Sequence, residues 1–202
     1  LCLHHLLIVL SCKESHLGIV HRLDQPVEGL LVFAKEKKAA AALTKQLSDG
    51  TLNKHYYAVL CGYPAVPEGE LVDYLRKEGS VAVAVTGSEK NFPDAKIAKL
   101  RYNILEKLDQ PMPLSLVDVC IETGRFHQIR IQFAHAGWPL LGDTKYGNAA
   151  AGAAVSHQSY CGVALCAYAL AFKHRVSGKK MSFQVQPQNP AFAQFDLVKA
   201  DS

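Results

Sequence analysis

Between residues 52 and 125 the chain offers little besides β-forming runs. "LNKHYYAVLCGY", "EGELVDYL", "SVAVAVTG", "AKLRYNILEKL" and "LSLVDVCIETGR" follow one another with Gly, Pro and Asn punctuation between them. Period-two alternation or β-rich composition marks these runs, and the short punctuated spacing predicts successive antiparallel strands. "GIVHRL" and "EGLLVFAK" are two further short β-type runs, and "ALAFKHRV-SGKK-MSFQVQP" reads as a hairpin with Ser-Gly at its tip. Against these stand two main helices. "EKKAAAALTKQLSDG" has Ala-rich propensity, with Gly50 placed to end it, and "GRFHQIRIQFAHAG" is helical from about Phe126 to Gly137. The tally is α+β: a mixed, largely antiparallel central sheet with a few flanking helices.

At 202 residues, 49% hydrophobic and 20% charged, the chain is long enough to bury a real core and reads as one domain. Net charge is +4 with nine histidines besides, which suits an anionic partner without demanding one. The cysteines, Cys2, Cys12, Cys61, Cys120, Cys161 and Cys166, form no C-x-x-C pair, so neither a zinc ribbon nor a thioredoxin-type site is signalled. A reducing cytoplasm is the natural compartment. The apolar opening "LCLHHLLIVLSC" is too short to span a bilayer and lacks the features of a secretion signal. It reads as a buried segment at a truncated start. No membrane association and no obligate protein partner is signalled.

In the second helix Phe126, Ile129, Arg130 and Phe133 share one stripe at i, i+3, i+4 and i+7. Arg130 therefore points into apolar company. A guanidinium keeps its proton at physiological pH, so it must either snorkel to water or find an anionic partner. Asp24, in the stretch "GIVHRLDQPVEGLLVFAK", is a fitting mate, because it lies between two apolar runs on what should be a tight loop. Placed two residues before Pro26, it could equally be turn chemistry alone.

Two further clusters bear on the same question. In "KHYYAVL" alternation sets Lys54, Tyr56 and Ala58 on one side and His55, Tyr57 and Val59 on the other, which makes one tyrosine available to a cleft. Strand tyrosines are more often packing residues with a wet hydroxyl. The loop "WPLLGDTKYG" gathers Gly142, Asp143, Lys145, Tyr146 and Gly147, and could hold a phosphate backbone or merely turn.

Taken in order, "HRLD" at His21 to Asp24 with "GLL" from Gly29, "K-x-Y-x-A" from Lys54, "TGRFHQIR" and "LLGDTKYG" resemble the motifs of the RluA-type pseudouridine synthases. Four motifs in one order are far more specific than any one alone, and the likeness runs from about Gly18 to near Val185. The resemblance implies an isomerase that turns uridine in RNA into its C-glycoside isomer, with no cofactor and no metal. It implies that Asp24 is the catalytic aspartate, acting on C1′ or on a sugar proton, Tyr56 the active-site tyrosine and Arg130 the basic residue paired with Asp24. All three should then converge on one cleft, into which the target nucleotide of a structured rRNA or tRNA is flipped. His21 and Arg22, beside the aspartate, become candidates for holding flanking RNA. Arg125, His127, Gln128, Lys145 and Tyr146 are candidates for phosphate or base contacts.

The pattern departs from the family in places. Val27 and Glu28 precede Gly29 where a small hydroxyl residue is common, which bears on the hydrogen bonding of the catalytic loop. The family's opening strands with their Lys-Pro motif have no counterpart before Leu1, and there is no added S4-type RNA-binding module. Two other classes stay open: a turnover-deficient RNA-binding assembly factor of the same fold, and a metal-independent RNA hydrolase using His21 and His127 as acid and base.

Overall fold

The computed structural model describes the backbone of residues 5–10 and, in full, residues 17–25, 27–85, 92–147 and 162–196. The described strands are β1 (His5–Leu10), β2 (Gly18–Ile19), β3 (Glu28–Ala34), β4 (Asn53–Cys61), β5 (Glu68–Glu78), β6 (Val81–Val85), β7 (Lys96–Leu108), β8 (Leu114–Ile121), β9 (Leu165–Lys173) and β10 (Lys180–Gln184), all but β1 falling on the β-rich runs. They pair in the order β1-β3-β9-β4-β8-β7-β5-β6, with β10 on β9 and β2 on β3. Only β1–β3 and β3–β9 are parallel among these pairings, so the sheet is mixed and largely antiparallel.

Two helices flank the sheet, α1 (Lys37–Ser48) and α2 (Gln128–His135). Gly50 ends α1 with a φ of 73°, a left-handed conformation that glycine adopts without steric penalty. The apolar opening forms β1, alongside β3; the packing of its side chains lies outside the described residues, as does the end of the "SVAVAVTG" run. The hairpin of β9 and β10 carries Gly178 near its tip. A 3-10 helix at Pro190–Gln194, not foreseen from the sequence, seats Phe192 under the sheet beside Phe195.

Two layers of apolar packing fix the sheet between them. Ile129 and Phe133 of α2 pack on Tyr56, Ala58, Leu100, Val117 and Val119, while Val59, Leu116, Phe192 and Phe195 fill the opposite face. A third cluster joins Leu43 of α1 to Leu30, Val32 and Phe172. Adjacent residues of β4 thus serve opposite cores, as period-two geometry demands.

"GIVHRL" is not a full strand. Its ladder with β3 stops after Ile19, and residues 20–24 leave the sheet to run along one side of a cleft.

Candidate active site

The cleft has a volume of about 450 Å³ and opens where that departing segment faces β4 and the turn before α2. Val20, His21, Arg22, Leu23 and Asp24 line one side, Lys54 and Tyr56 the floor, and Gly124 to Arg130 the other. β4 delivers Lys54 and Tyr56 to the same side because its burial alternates, with Lys54, Tyr56 and Ala58 buried and His55 and Tyr57 half-buried.

Asp24 sits on a closed turn. The Val27 N–H donates to the Asp24 carbonyl at 2.9 Å, so turn chemistry and cleft position coexist. What fixes the far end of this loop is Gly29, with φ 121°: β3 meets β9 there, and a Cβ would lie 2.4 Å from the Ala167 carbonyl oxygen. Glu28, the departure from the family pattern, accepts backbone N–H bonds from Gln188 and Asn189 at 3.1 Å and ties the C-terminal segment to the loop.

Arg130 is buried, as its stripe requires, but its principal mate is not Asp24. Its Nε and Nη2 donate to Asp143 Oδ2 and Oδ1 at 2.7 and 2.8 Å, a bidentate pair with both side chains out of solvent. The remaining nitrogen, Nη1, lies 3.9 Å from Asp24 Oδ2. Asp143 wins because it is itself fixed: its Oδ1 also accepts the backbone N–H groups of Lys145 and Tyr146. Burial alone would lower the Arg130 pKa and raise that of Asp143, but the hydrogen bonds and opposite charges prevail, so Arg130 moves up and Asp143 down. Both stay ionised, and the guanidinium is held with one nitrogen facing the Asp24 carboxylate.

The turn before α2 differs from the expected helix start. His127 adopts a left-handed φ of 52° and the helix begins one residue later, so Phe126 falls outside the buried stripe. Phe126 is 37% exposed at the cleft, with its ring on that of His127 and the Lys77 ammonium 4.8 Å from its centre. Gln128 holds this turn. Its Oε1 accepts from the Thr123 hydroxyl and the Arg125 N–H, and its Nε2 donates to the Lys99 carbonyl, so its amide is spent on scaffold and not turned to RNA. His127 Nε2 lies 3.6 Å from Asp24 Oδ2, and its Nδ1 is 2.6 Å from the Tyr146 hydroxyl. Burial lowers the His127 pKa, against the pull of Asp24.

The remaining candidates divide by position. Arg22 is exposed on the cleft, and Arg125 lines it with Nε bonded to the Ile97 carbonyl at 2.9 Å. Lys145 and Tyr146 do not line it. Lys145 Nζ donates to the Ser80 carbonyl, and the Tyr146 hydroxyl receives the Ala82 N–H behind His127. His21 lines the cleft, but its Nε2 accepts the Val32 N–H at 3.3 Å, and burial, with the Lys54 charge, pushes its pKa down to about 4. A neutral imidazole with that lone pair engaged cannot serve as the acid of a two-histidine hydrolase at neutral pH. Burial, then the Asp24 charge, pushes the Tyr56 pKa well above the usual phenol range, so its hydroxyl keeps its proton.

Two residues of this arrangement were not singled out from sequence as site residues. Asp143 was visible only as part of a glycine-bounded loop, although an Asp followed by exposed backbone N–H groups is the signal of a self-capping turn. Lys54 was visible as a charged residue in phase with Tyr56 and Ala58 on the buried side of an apolar strand. That phase was the clue.

Residues 3–135 match the family described as RNA pseudouridylate synthase. The chain is 34% identical over 179 residues to "Ribosomal large subunit pseudouridine synthase D" of Zymomonas mobilis, covering 85% of this chain and 53% of that protein. It is 30% identical over 187 residues to "tRNA pseudouridine synthase C" of Pectobacterium carotovorum, covering 87% and 48%. The chain thus spans about half the length of these relatives. Among solved structures, "Human RNA Pseudouridylate Synthase Domain Containing 1" superposes with a TM-score of 0.71 at 21% identity over 91% of this chain and 73% of that one, a likeness of fold. Family match, identity to the relatives and shared fold agree, and the chain belongs to the RluA-type RNA pseudouridine synthase family.

Proposed function

We propose that this chain isomerises uridine to pseudouridine in structured RNA, with Asp24 as the residue that acts on the sugar. The observation that carries this reading is the place of the Asp24 carboxylate: on a hydrogen-bonded turn, lining the cleft, with Arg130 Nη1 at 3.9 Å and His127 Nε2 at 3.6 Å. A carboxylate so placed is charged-partnered without being consumed by hydrogen bonds, which is what an attacking or proton-abstracting group needs. Asp143 supports the role by holding Arg130 in register. Tyr56 offers its ring to a displaced uracil. Because its hydroxyl stays protonated, it can accept the C5 proton late in the reaction only while handing on its own.

The reaction moves a bond from N1 to C5 with no net oxidation, so the chain's own side chains suffice. The buried floor accommodates a nucleotide only if it is turned out of its stack, and Arg22 and Arg125 at the sides are placed for the flanking phosphates. Relatives named for large-subunit rRNA and for tRNA make those two RNAs the substrates of choice. The cytoplasm is the compartment we infer, in keeping with free thiols at Cys61, Cys120 and Cys166 and with no described helix long and apolar enough to cross a membrane.

The test is nucleoside analysis of unmodified rRNA and tRNA transcripts after incubation with the chain. Pseudouridine is the expected product. Intact RNA bound without isomerisation would point to a binding factor, and shortened strands to a hydrolase.

A further inference from the structure

We propose that Lys54 is the cation that stabilises the uracil ring after its bond to the ribose has broken, an inference that rests on the isomerase function proposed above. Lys54 is 8% exposed, lines the cleft floor two residues before Tyr56, and makes no hydrogen bond or ion pair with any described residue. The other basic groups around the cleft are differently placed: Arg130 is held by Asp143, Arg125 Nε by the Ile97 carbonyl, and Arg22 is exposed. A cation on a largely buried side chain with no protein partner is costly, and an anionic group entering the cleft would meet it.

Depth decides which part of the substrate that is. Phosphodiesters belong to the backbone and stay near the rim with Arg22, whereas Lys54 lies at the level of Tyr56, itself 6% exposed, where a flipped ring would come to rest. Gly124 leaves room beside it: even an added Cβ would sit 4.0 Å from Lys54 Nζ.

The charge that Lys54 meets exists only during the reaction. When C1′–N1 breaks, its electron pair leaves on the uracil and spreads over N1 and the two carbonyl oxygens. When the ring has turned, that pair forms the C5–C1′ bond, and the C5 proton then departs to a base. Lys54 keeps its proton throughout and donates a hydrogen bond to a carbonyl oxygen while the ring is anionic. An interaction made strongest at this point raises the rate of the step and adds little to ground-state binding. Burial pushes the Lys54 pKa down to about 8, so the side chain is still mostly charged at neutral pH, and His21 beside it stays neutral.

The experiment compares wild type with Lys54→Met and Lys54→Gln in single-turnover assays on the transcript that the chain converts, with RNA Kd and Tm measured on the same preparations. The same transcript made with 5-fluorouridine is run in parallel, because fluorine withdraws electrons and makes the ring a better leaving group; loss of 5-fluorouridine is the readout there. Both variants should lose about 100-fold in rate on uridine, keep Kd within about 3-fold, and melt no lower than wild type, since an unpaired buried charge has been removed. On 5-fluorouridine the defect should shrink to about 10-fold or less. Rates within about 3-fold of wild type on uridine overturn the inference. So does a loss confined to Kd, which would place Lys54 on a phosphate, or an equal defect on both substrates, which would make its role structural. A wild type that leaves uridine unchanged overturns the proposed function and this inference together, whereas an active wild type with unimpaired variants overturns the inference alone.

Discussion

One strand feeds two polar clusters of opposite character. On the back of β4, His55 Nδ1 lies 3.1 Å from both oxygens of Asp118, the Tyr168 hydroxyl donates to the same carboxylate at 3.2 Å, and Tyr57 stacks on Tyr168 with ring centres 3.6 Å apart. On the front, the Arg130 guanidinium is 3.9 Å and the His127 imidazole 3.6 Å from Asp24, and Lys54 has no partner among the described residues. The back cluster is saturated and the front one is not. A network whose charges are all met adds stability and has nothing left to offer a ligand, while a cluster with unmet charges lowers stability and keeps its capacity to act.

The comparison can be broken in several places. The largest effect should follow Asp143→Asn, because Asp143 holds Arg130 by two hydrogen bonds and Arg130 depends on it. Removing one partner of a buried pair costs about 3–5 kcal/mol, a fall of about 6–20 °C in Tm for a chain of this size, and turnover by the folded fraction should drop as Arg130 loses its register. Calorimetry alongside a rate assay checks both. A Tm unchanged by the substitution would mean that Arg130 finds another acceptor.

Tyr56→Phe keeps the ring and removes the hydroxyl, so binding should persist while the step after C5–C1′ bond formation slows by about 100-fold. Rapid quench should then show the C5-linked species accumulating before its proton is lost. Arg22→Ala should weaken RNA binding several-fold and reduce the slope of log Kd against log salt by about one, with the rate of bound complex little altered. An unchanged slope would remove Arg22 from the phosphate contacts.

The smallest effect belongs to the back cluster. Hydrogen bonding to Asp118, and then to Cys120, raises the His55 pKa to about 10, above its unfolded value near 6.5. Its contribution is therefore fully present below about pH 6.5 and lost as pH rises through about 10. Because His55 is 37% exposed, solvent screening leaves only about 1 kcal/mol of this. The Tm gap between wild type and His55→Gln should be widest at pH 6 and closed above pH 10. A gap that does not vary with pH would show that His55 stabilises by packing alone.

Much of this arrangement was legible in the residues, and the rest was lost for identifiable reasons. Alternation in "KHYYAVL" placed Lys54 and Tyr56 together because strand geometry leaves a residue only two faces to choose from. The stripe of Ile129, Arg130 and Phe133 put a guanidinium in the core for the same kind of reason. That Asp24 would come within ion-pair reach of it was legible, but that Asp143 would take the bidentate contact was not. Asp24 and Asp143 are both loop carboxylates, and the bidentate contact goes to the one that the chain's return after α2 brings alongside, a tertiary fact with no local signal. Phe126 was misplaced because a Gln128 side chain, not a capping residue, holds the turn and delays the helix. Lys145 and Tyr146 were grouped with the cleft by their loop, whereas backbone bonds at Ser80 and Ala82 draw them behind it.

The most direct measurement takes two isosteric substitutions on the two sides of the same sheet, Asp24→Asn and Asp118→Asn, and records Tm and single-turnover pseudouridine formation for each. Asp24→Asn should abolish turnover and leave Tm within about 2 °C, since Arg130 keeps Asp143. Asp118→Asn should lose about 1–3 kcal/mol, or about 2–12 °C in Tm, with the folded enzyme turning over near the wild-type rate. Wild-type turnover by Asp24→Asn, or an equal loss of rate and stability in both variants, would contradict the division between a front that acts and a back that holds.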